Sequence, residues 1–217
     1  FFWKIKEIAN TTRLWDSVNI IIVVLEPIIN LLRCTDREVP FVGFIKDEIQ
    51  GVYQHLVQMA QNDECAGIEV VRDVWKGKME REWDIPWFSA AAILNPIFGY
   101  CRRSPSIASD DINRAHLMTI LAKLSKPGRV HMIQGEKVSE DTVISQQLEL
   151  FLEGKACFLQ IDEGGDHTPL SKAVGQKSAG SWWNDILWDR KMLSKYGPFL
   201  LRDIALKILH VGVSASP

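Results

Sequence analysis

Cysteine pairs, a basic excess, phosphate-binding glycine loops and long unbroken apolar runs are all missing from this 217-residue chain. Each absence narrows what it can be. The four cysteines, Cys34, Cys65, Cys101 and Cys157, are spread along the sequence with no CxxC spacing and no paired histidines at zinc distance. They read as reduced, mostly buried thiols of a cytosolic or nuclear protein. A net charge of −2 argues against a dedicated nucleic-acid binder, although it leaves room for local basic patches. No GxxxxGK[ST] loop and no GxSxG elbow occurs, and His55, His116, His131, His167 and His210 are scattered, so P-loop hydrolysis and an elbow-type nucleophile are unsupported. The longest clean apolar run, Ile20 to Leu25, is far short of the ~20 residues that span a bilayer. Val18 to Leu32, interrupted by Asn19, Glu26, Pro27 and Asn30, therefore reads as a buried helix. Alternating strand patterns are nearly absent, with Ala156 to Ile161 the one short candidate, and no internal repeat supports a solenoid.

What remains is helical periodicity. Composition is that of an ordinary globular chain, 47% hydrophobic and 24% charged, of a length that buries about 70% of its unfolded surface. Leu14, Val18, Ile21, Ile22, Leu25, Ile29 and Leu32 form a wide apolar stripe, which Pro27 is expected to kink or split. Pro40 suits the first turn of the next helix, with Phe41, Ile45, Ile49, Val52, Leu56 and Met59 along one face. A third stripe carries Ile68, Val71, Trp75, Met79 and Trp83, and Pro86 closes it. Ser89 to Leu94 predicts a short helix of small residues, stopped at Asn95-Pro96 because a residue before proline avoids the helical region. Asp110 or Asp111 caps a helix carrying Leu117, Ile120, Leu121 and Leu124. Lys126 to Gly135 reads as a loop, before a helix with Ile144, Leu148, Phe151 and Leu152. The fold class is mostly α, with little or no β-structure and an irregular, glycine-containing stretch at 154–180.

Few residues invite chemistry. Asp162-Glu163-Gly164-Gly165-Asp166-His167 has the donor types of a divalent-metal site, but its spacing matches no calcium loop and a solvated acidic turn explains it better. Asp110-Asp111-Ile112-Asn113-Arg114 has part of an aspartate-rich magnesium motif, yet Arg114 stands where the third carboxylate belongs, and a helix cap is simpler. Arg102, Arg103, Lys123, Lys126 and Arg129 are candidates for phosphate contact, against a reading as ordinary solvated surface among interspersed acids. Eight tryptophans are many for this length. Trp75 and Trp83 sit on a helical stripe and read as core. Trp182, Trp183 and Trp188, followed by the amphipathic Leu201, Ile204, Ala205, Ile208 and Leu209, read either as intramolecular core or as an anchor for another element or subunit.

Two segments converge on one family. Ser89 to Tyr100, SAAAILNPIFGY, resembles the AAxxLNPxFxY signature of plant hAT (hobo–Activator) transposases. The Trp182-Trp183 pair, then Leu200, Ala205, Ile208-Leu209 and Ser214-Ala215-Ser216, resembles the start of that family's C-terminal dimerisation region. Trp3 with its following apolar helix, and Pro40, Gly43 and Phe44, resemble the segment upstream of the LNP motif, so the likeness covers most of the chain in order. Phe88 departs from it, since many relatives have histidine just before the alanine run; the change fits a decayed or domesticated copy.

The resemblance implies an RNase H-like core with an acidic triad, interrupted by an all-α insertion. It implies catalytic aspartates upstream of Phe1 and a catalytic glutamate beyond Pro217, so no catalytic role carries over to a residue here. The expected organisation is a helical insertion-type domain at 1–153, a linker at 154–180 and the start of the dimerisation region at 181–217. The expected role is non-catalytic: dimerisation in the intact protein, with DNA contact through the basic candidates. No cofactor is expected in this piece, since magnesium would belong to an intact catalytic core. Localisation is expected to be nuclear, otherwise cytoplasmic, with no membrane partner. The second expectation is a domesticated module that binds a protein partner without DNA activity, and a third is a metal-dependent all-α enzyme using Asp110-Asp111 or the 162–167 loop.

Overall fold

A computed structural model describes residues 3, 11–35, 42–62, 67–96, 110–158 and 179–210. Among them the elements are α1 (Thr12–Thr35), α2 (Val42–Gln61), α3 (Ile68–Lys78) running into a π-helical turn (Met79–Trp83), α4 (Pro86–Leu94) and α5 (Asp111–Leu124). A hairpin of β1 (Val130–Ile133) and β2 (Glu136–Ser139) follows. Then come α6 (Glu140–Leu152), a 3-10 turn (Ala156–Phe158), α7 (Ala179–Asp185), α8 (Arg190–Tyr196) and α9 (Leu200–Leu209). The described chain is mostly helical, as the periodicity implies. Pro40 and Phe41 lie outside the described residues.

The architecture turns on α4. Proline at its first turn starts it, and Asn95 ends it in an extended conformation, as the residue before Pro96 requires. Ser89 to Leu94 are fully buried. Their small side chains let α2, α5 and α9 approach from different sides. Two apolar clusters result. One joins α4, α5, α6, α7 and α9 around Phe151, Phe158, Trp182 and Trp183. The other joins α1, α2 and α3 around Leu56, Ile68 and Trp75, and half-buried Phe88 packs against both. Residues from either side of 154–180 thus share one core.

The first helix corrects two expectations. It is not buried: Ile21, Ile22, Leu25, Ile29 and Leu32 are exposed, and only Val24 and Leu31 are fully covered. The face that packs on α2 is Ile20, Val24, Ile28 and Leu31, because a helix apolar on nearly every side can cover only one of them. By length and composition alone, Leu14–Thr35 is also long enough to cross a membrane. Nor does Pro27 split it, since the helix runs unbroken from Thr12 to Thr35. Proline at 27 leaves the Val23 carbonyl without its usual i+4 donor. His55 Nε2 of α2 lies 3.2 Å from that oxygen and takes the donor's place.

The hairpin is the third correction, for it occupies much of the expected loop at 126–135. Val130 pairs with Ser139, and Ile133 with Glu136. The two-residue turn Gln134-Gly135 has positive φ at both positions, 53° and 87°, as a type I′ turn demands, and glycine meets the second at no steric cost. Ala156 to Phe158, the expected start of a strand, is a 3-10 turn instead.

Candidate functional site

The junction between α4, α7 and α9 brings the two resemblance-bearing segments together. Trp183 Nε1–H donates to the Leu94 carbonyl at 2.9 Å across 89 positions of sequence. That carbonyl lies at the end of α4, where carbonyls lack an intrahelical partner. Beside it the Asn95 amide donates to the Gly43 carbonyl at 3.2 Å. A Cβ on Gly43 would sit 2.9 Å from Asn95 Nδ2 and 3.2 Å from Leu209 Cδ2, so α2 reaches this corner only with glycine there. On the far side Gln147 of α6 is fully buried. Its amide donates to the Tyr196 and Pro198 carbonyls at 3.2 and 2.7 Å, and its Oε1 accepts the Leu201 N–H at 3.0 Å. That amide belongs to the first turn of α9, which its own flanking residue does not cap. Gln147 is a connector that sequence reading missed, since nothing local marks a side chain that caps a helix 54 residues away.

The aromatic candidates are consequently core. Trp182, Trp183, Leu201, Ile204, Ala205, Ile208 and Leu209 are buried inside the chain. Trp182 and Trp183 meet edge to face at 5.1 Å, and both pack on Phe151 and Phe158. Half-buried Trp188 stacks on Phe199 at 4.1 Å and donates to the Gly197 carbonyl at 2.9 Å. A subunit contact made by this region in this conformation has to use its exposed residues, not these. Trp75 is likewise buried, edge to face with half-buried Trp83 at 4.7 Å.

Of the basic candidates, Arg102 and Arg103 lie outside the described residues. Lys123, Lys126 and Arg129 are exposed around the end of α5 and the start of the hairpin. Two of them converge on Glu140, a buried carboxylate at the start of α6 that sequence reading did not single out. Glu140 Oε1 accepts the Lys126 backbone N–H at 2.8 Å, and Oε2 lies 3.6 Å from Arg129 Nε and 3.3 Å from His131 Nε2. The Glu140 N–H in turn donates to the Arg129 carbonyl at 2.9 Å. Part of the local positive charge is therefore neutralised from beneath. Lys123 and Lys126 are exposed, and Arg129 is held beside the Glu140 carboxylate.

A second polar cluster sits where α2, α4 and α5 meet. Lys46 Nζ donates to Ser89 Oγ at 2.7 Å, Ser89 donates to Asn113 Oδ1 at 3.0 Å, and His116 Nδ1 lies 3.1 Å from the same hydroxyl. Asp84 Oδ1 is 3.4 Å from Lys46 Nζ and 3.8 Å from His116 Nδ1. The lysine–serine distance suits a base and a nucleophile. Yet Ser89 is fully buried on α4, and its hydroxyl is already engaged by Lys46, Asn113 and His116. The cluster braces three helices. Beside it an open cleft of about 260 Å³ is lined by Lys46, Ile49, Met79, Trp83 and Asp84 among others.

The metal-type candidates divide. Asp110 is a helix cap as expected, its Oδ1 accepting the Ile112 and Asn113 N–H groups at 2.8 and 3.0 Å. The 162–167 loop lies outside the described residues. Among the described residues no group of three metal-ligating side chains comes together.

No family model matches this chain, no curated protein matches it, and no solved structure matches it.

Proposed function

We propose that this chain is the helical, non-catalytic part of an hAT-like, transposase-derived protein, and that it acts through contacts rather than chemistry. One observation carries the reading. The LNP segment and the tryptophan pair, the two stretches on which the resemblance rests, meet through the Trp183–Leu94 hydrogen bond, with α9 packed against α4. Residues so far apart gain a reason to occur together when they build one junction. In the intact protein the reading gives this region subunit contact and DNA backbone contact, a nuclear location, and magnesium only at a catalytic core elsewhere. Lys123, Lys126 and Arg129, with Arg102 and Arg103, supply the DNA contact.

Retention of duplex DNA by the purified chain, measured against salt, tests it. Two to five phosphate contacts give binding whose log-log salt slope is about −2 to −4.5. Reversing Lys123 and Lys126 to glutamate, with Arg129→Gln, weakens retention while circular dichroism stays unchanged. No retention even at low salt would sink the DNA-contact part. The second reading, a module for a protein partner without DNA activity, is favoured by one observation: the apolar outer face of α1 is exposed. Capture of a defined protein partner, lost on substituting that face, together with no DNA retention, selects it.

A further inference from the structure

The outer face of α1 has a spacing of its own. Trp15, Val18, Ile22, Leu25, Ile29 and Leu32 follow each other at steps of three and four and repeat every seven residues. On a helix that is apolar on nearly every side, these positions supply the two-position apolar seam that a coiled coil uses. The helix packs on α2 through Ile20, Val24, Ile28 and Leu31, on its opposite side. The seam itself looks outward, with Ile22 54% exposed, Leu25 and Ile29 42%, and Leu32 57%. No seam position from Trp15 to Leu32 is polar. Pro27 lies off it, and His55 keeps the backbone there satisfied.

We propose that this seam pairs with α1 of a second copy of the chain, as a parallel two-stranded coiled coil. Isoleucine at 22 and 29 alternating with leucine at 25 and 32 is the arrangement that favours two parallel strands. Area argues for a stable pair. At about 200 Å² for a fully exposed large side chain, the exposed parts of the seam residues Trp15, Ile22, Leu25, Ile29 and Leu32 amount to roughly 500 Å² per copy. That is about 1,000 Å² in total, the least that a specific interface needs. A bilayer is the poorer occupant. The partner helix α2 carries Lys46, Asp47, Glu48, Gln50 and Gln54 alongside α1 and cannot follow it into hydrocarbon. The proposal is independent of the DNA-contact reading and names a surface other than the α9 region.

Sedimentation equilibrium of the full chain over micromolar concentrations tests it, beside a variant carrying Ile22→Glu and Leu25→Glu. Both positions are exposed, so the variant should keep its far-ultraviolet circular dichroism and melting behaviour. The wild-type chain is expected to dimerise reversibly, and the variant to associate at least about 100-fold more weakly. In Ile29→Cys, equivalent cysteines face each other across a parallel seam. Oxidation should then give a covalent dimer well above the wild-type background from Cys34. A wild-type chain that stays monomeric, a dimer the variant leaves intact, or absence of the extra cross-link overturns the proposal. So does a monomer that floats with phosphatidylcholine vesicles and loses this with the variant, which assigns the face to lipid.

Discussion

The His55 ring donates from Nε2 to the Val23 carbonyl that Pro27 leaves without a helical donor, across 3.2 Å from a neighbouring helix. A proline in the middle of a helix ordinarily costs about 3 kcal/mol, part of it the lost hydrogen bond. Here α2 supplies the missing donor, and α1 continues to Thr35. The pair should show up in a double-mutant cycle. His55→Leu alone is expected to destabilise by about 0.5–1.5 kcal/mol. Pro27→Ala restores the backbone donor and should stabilise. In that background His55→Leu should be close to neutral, a coupling of about 0.5–1 kcal/mol in urea unfolding. Additive effects would show that the ring is not filling the gap.

A second expectation concerns the Trp183–Leu94 junction. Trp183→Phe keeps an aromatic ring among Phe151, Phe158 and Phe199 but removes the donor to a buried carbonyl. It should lower stability by about 1–3 kcal/mol through that unsatisfied oxygen and the smaller ring. Trp183→Ala adds a cavity and should cost about 3–5 kcal/mol. Amide hydrogen exchange separates a local from a global effect. If Trp183→Phe leaves the exchange of both α4 and α9 unchanged, the bond does not couple them.

Much of the fold was legible because its helices obey simple rules. Ile45, Ile49, Val52, Leu56 and Met59 repeat on one face, and Asp110 caps α5 as its position before an apolar run implies. What was not legible is which side of an apolar surface other elements cover. The α1 stripe reads as core and faces outward, whereas Trp182 and Trp183, which read as core with an interface as the alternative, lie inside. Periodicity reports that a face is apolar; only tertiary packing decides what meets it. The hairpin was missed because strands of four residues carrying His131 and Lys137 show little alternation. The usable signal was the Gln134-Gly135 pair flanked by Ile133 and Val138. Glu140 was missed because its partners, a backbone amide and side chains nine to fourteen residues away, leave no motif.

That turn gives a third expectation. Gly135 holds φ at 87° with open space around its would-be Cβ, so Gly135→Ala meets conformational strain but no clash. A loss of about 1 kcal/mol is expected, since alanine in the left-handed region costs about 1–2 kcal/mol but loses less entropy on folding. Gln134→Asn, at φ 53°, should stabilise slightly because asparagine tolerates that region better. Thermal unfolding of both variants checks the signs. A neutral Gly135→Ala would falsify the type I′ assignment.

Burial pushes the Cys157 thiol up from 9.0 to about 11, with the Asp189 carboxylate adding in the same direction. A thiol held that high is almost entirely protonated at neutral pH, and the thiolate is the reactive form. Alkylation of Cys157 in the folded chain should therefore be slow at pH 8, rise about tenfold per pH unit up to pH 11, and become fast at pH 8 on unfolding. The linkage has a definite sign. The unfolded thiol loses its proton first, so between about pH 9 and pH 11 the unfolded state binds fewer protons than the folded one. Stability from this group is fully present below pH 9 and is lost as pH rises toward 11. Cys157→Ser retains a small polar group without that titration, so its stability should fall less steeply across the same window. Mass-spectrometric labelling rates for the Cys157 peptide, with unfolding curves of the two chains at pH 8.5 and 10.5, measure both effects. Rapid labelling of the folded chain at pH 8 would show that the thiol is neither buried nor shifted.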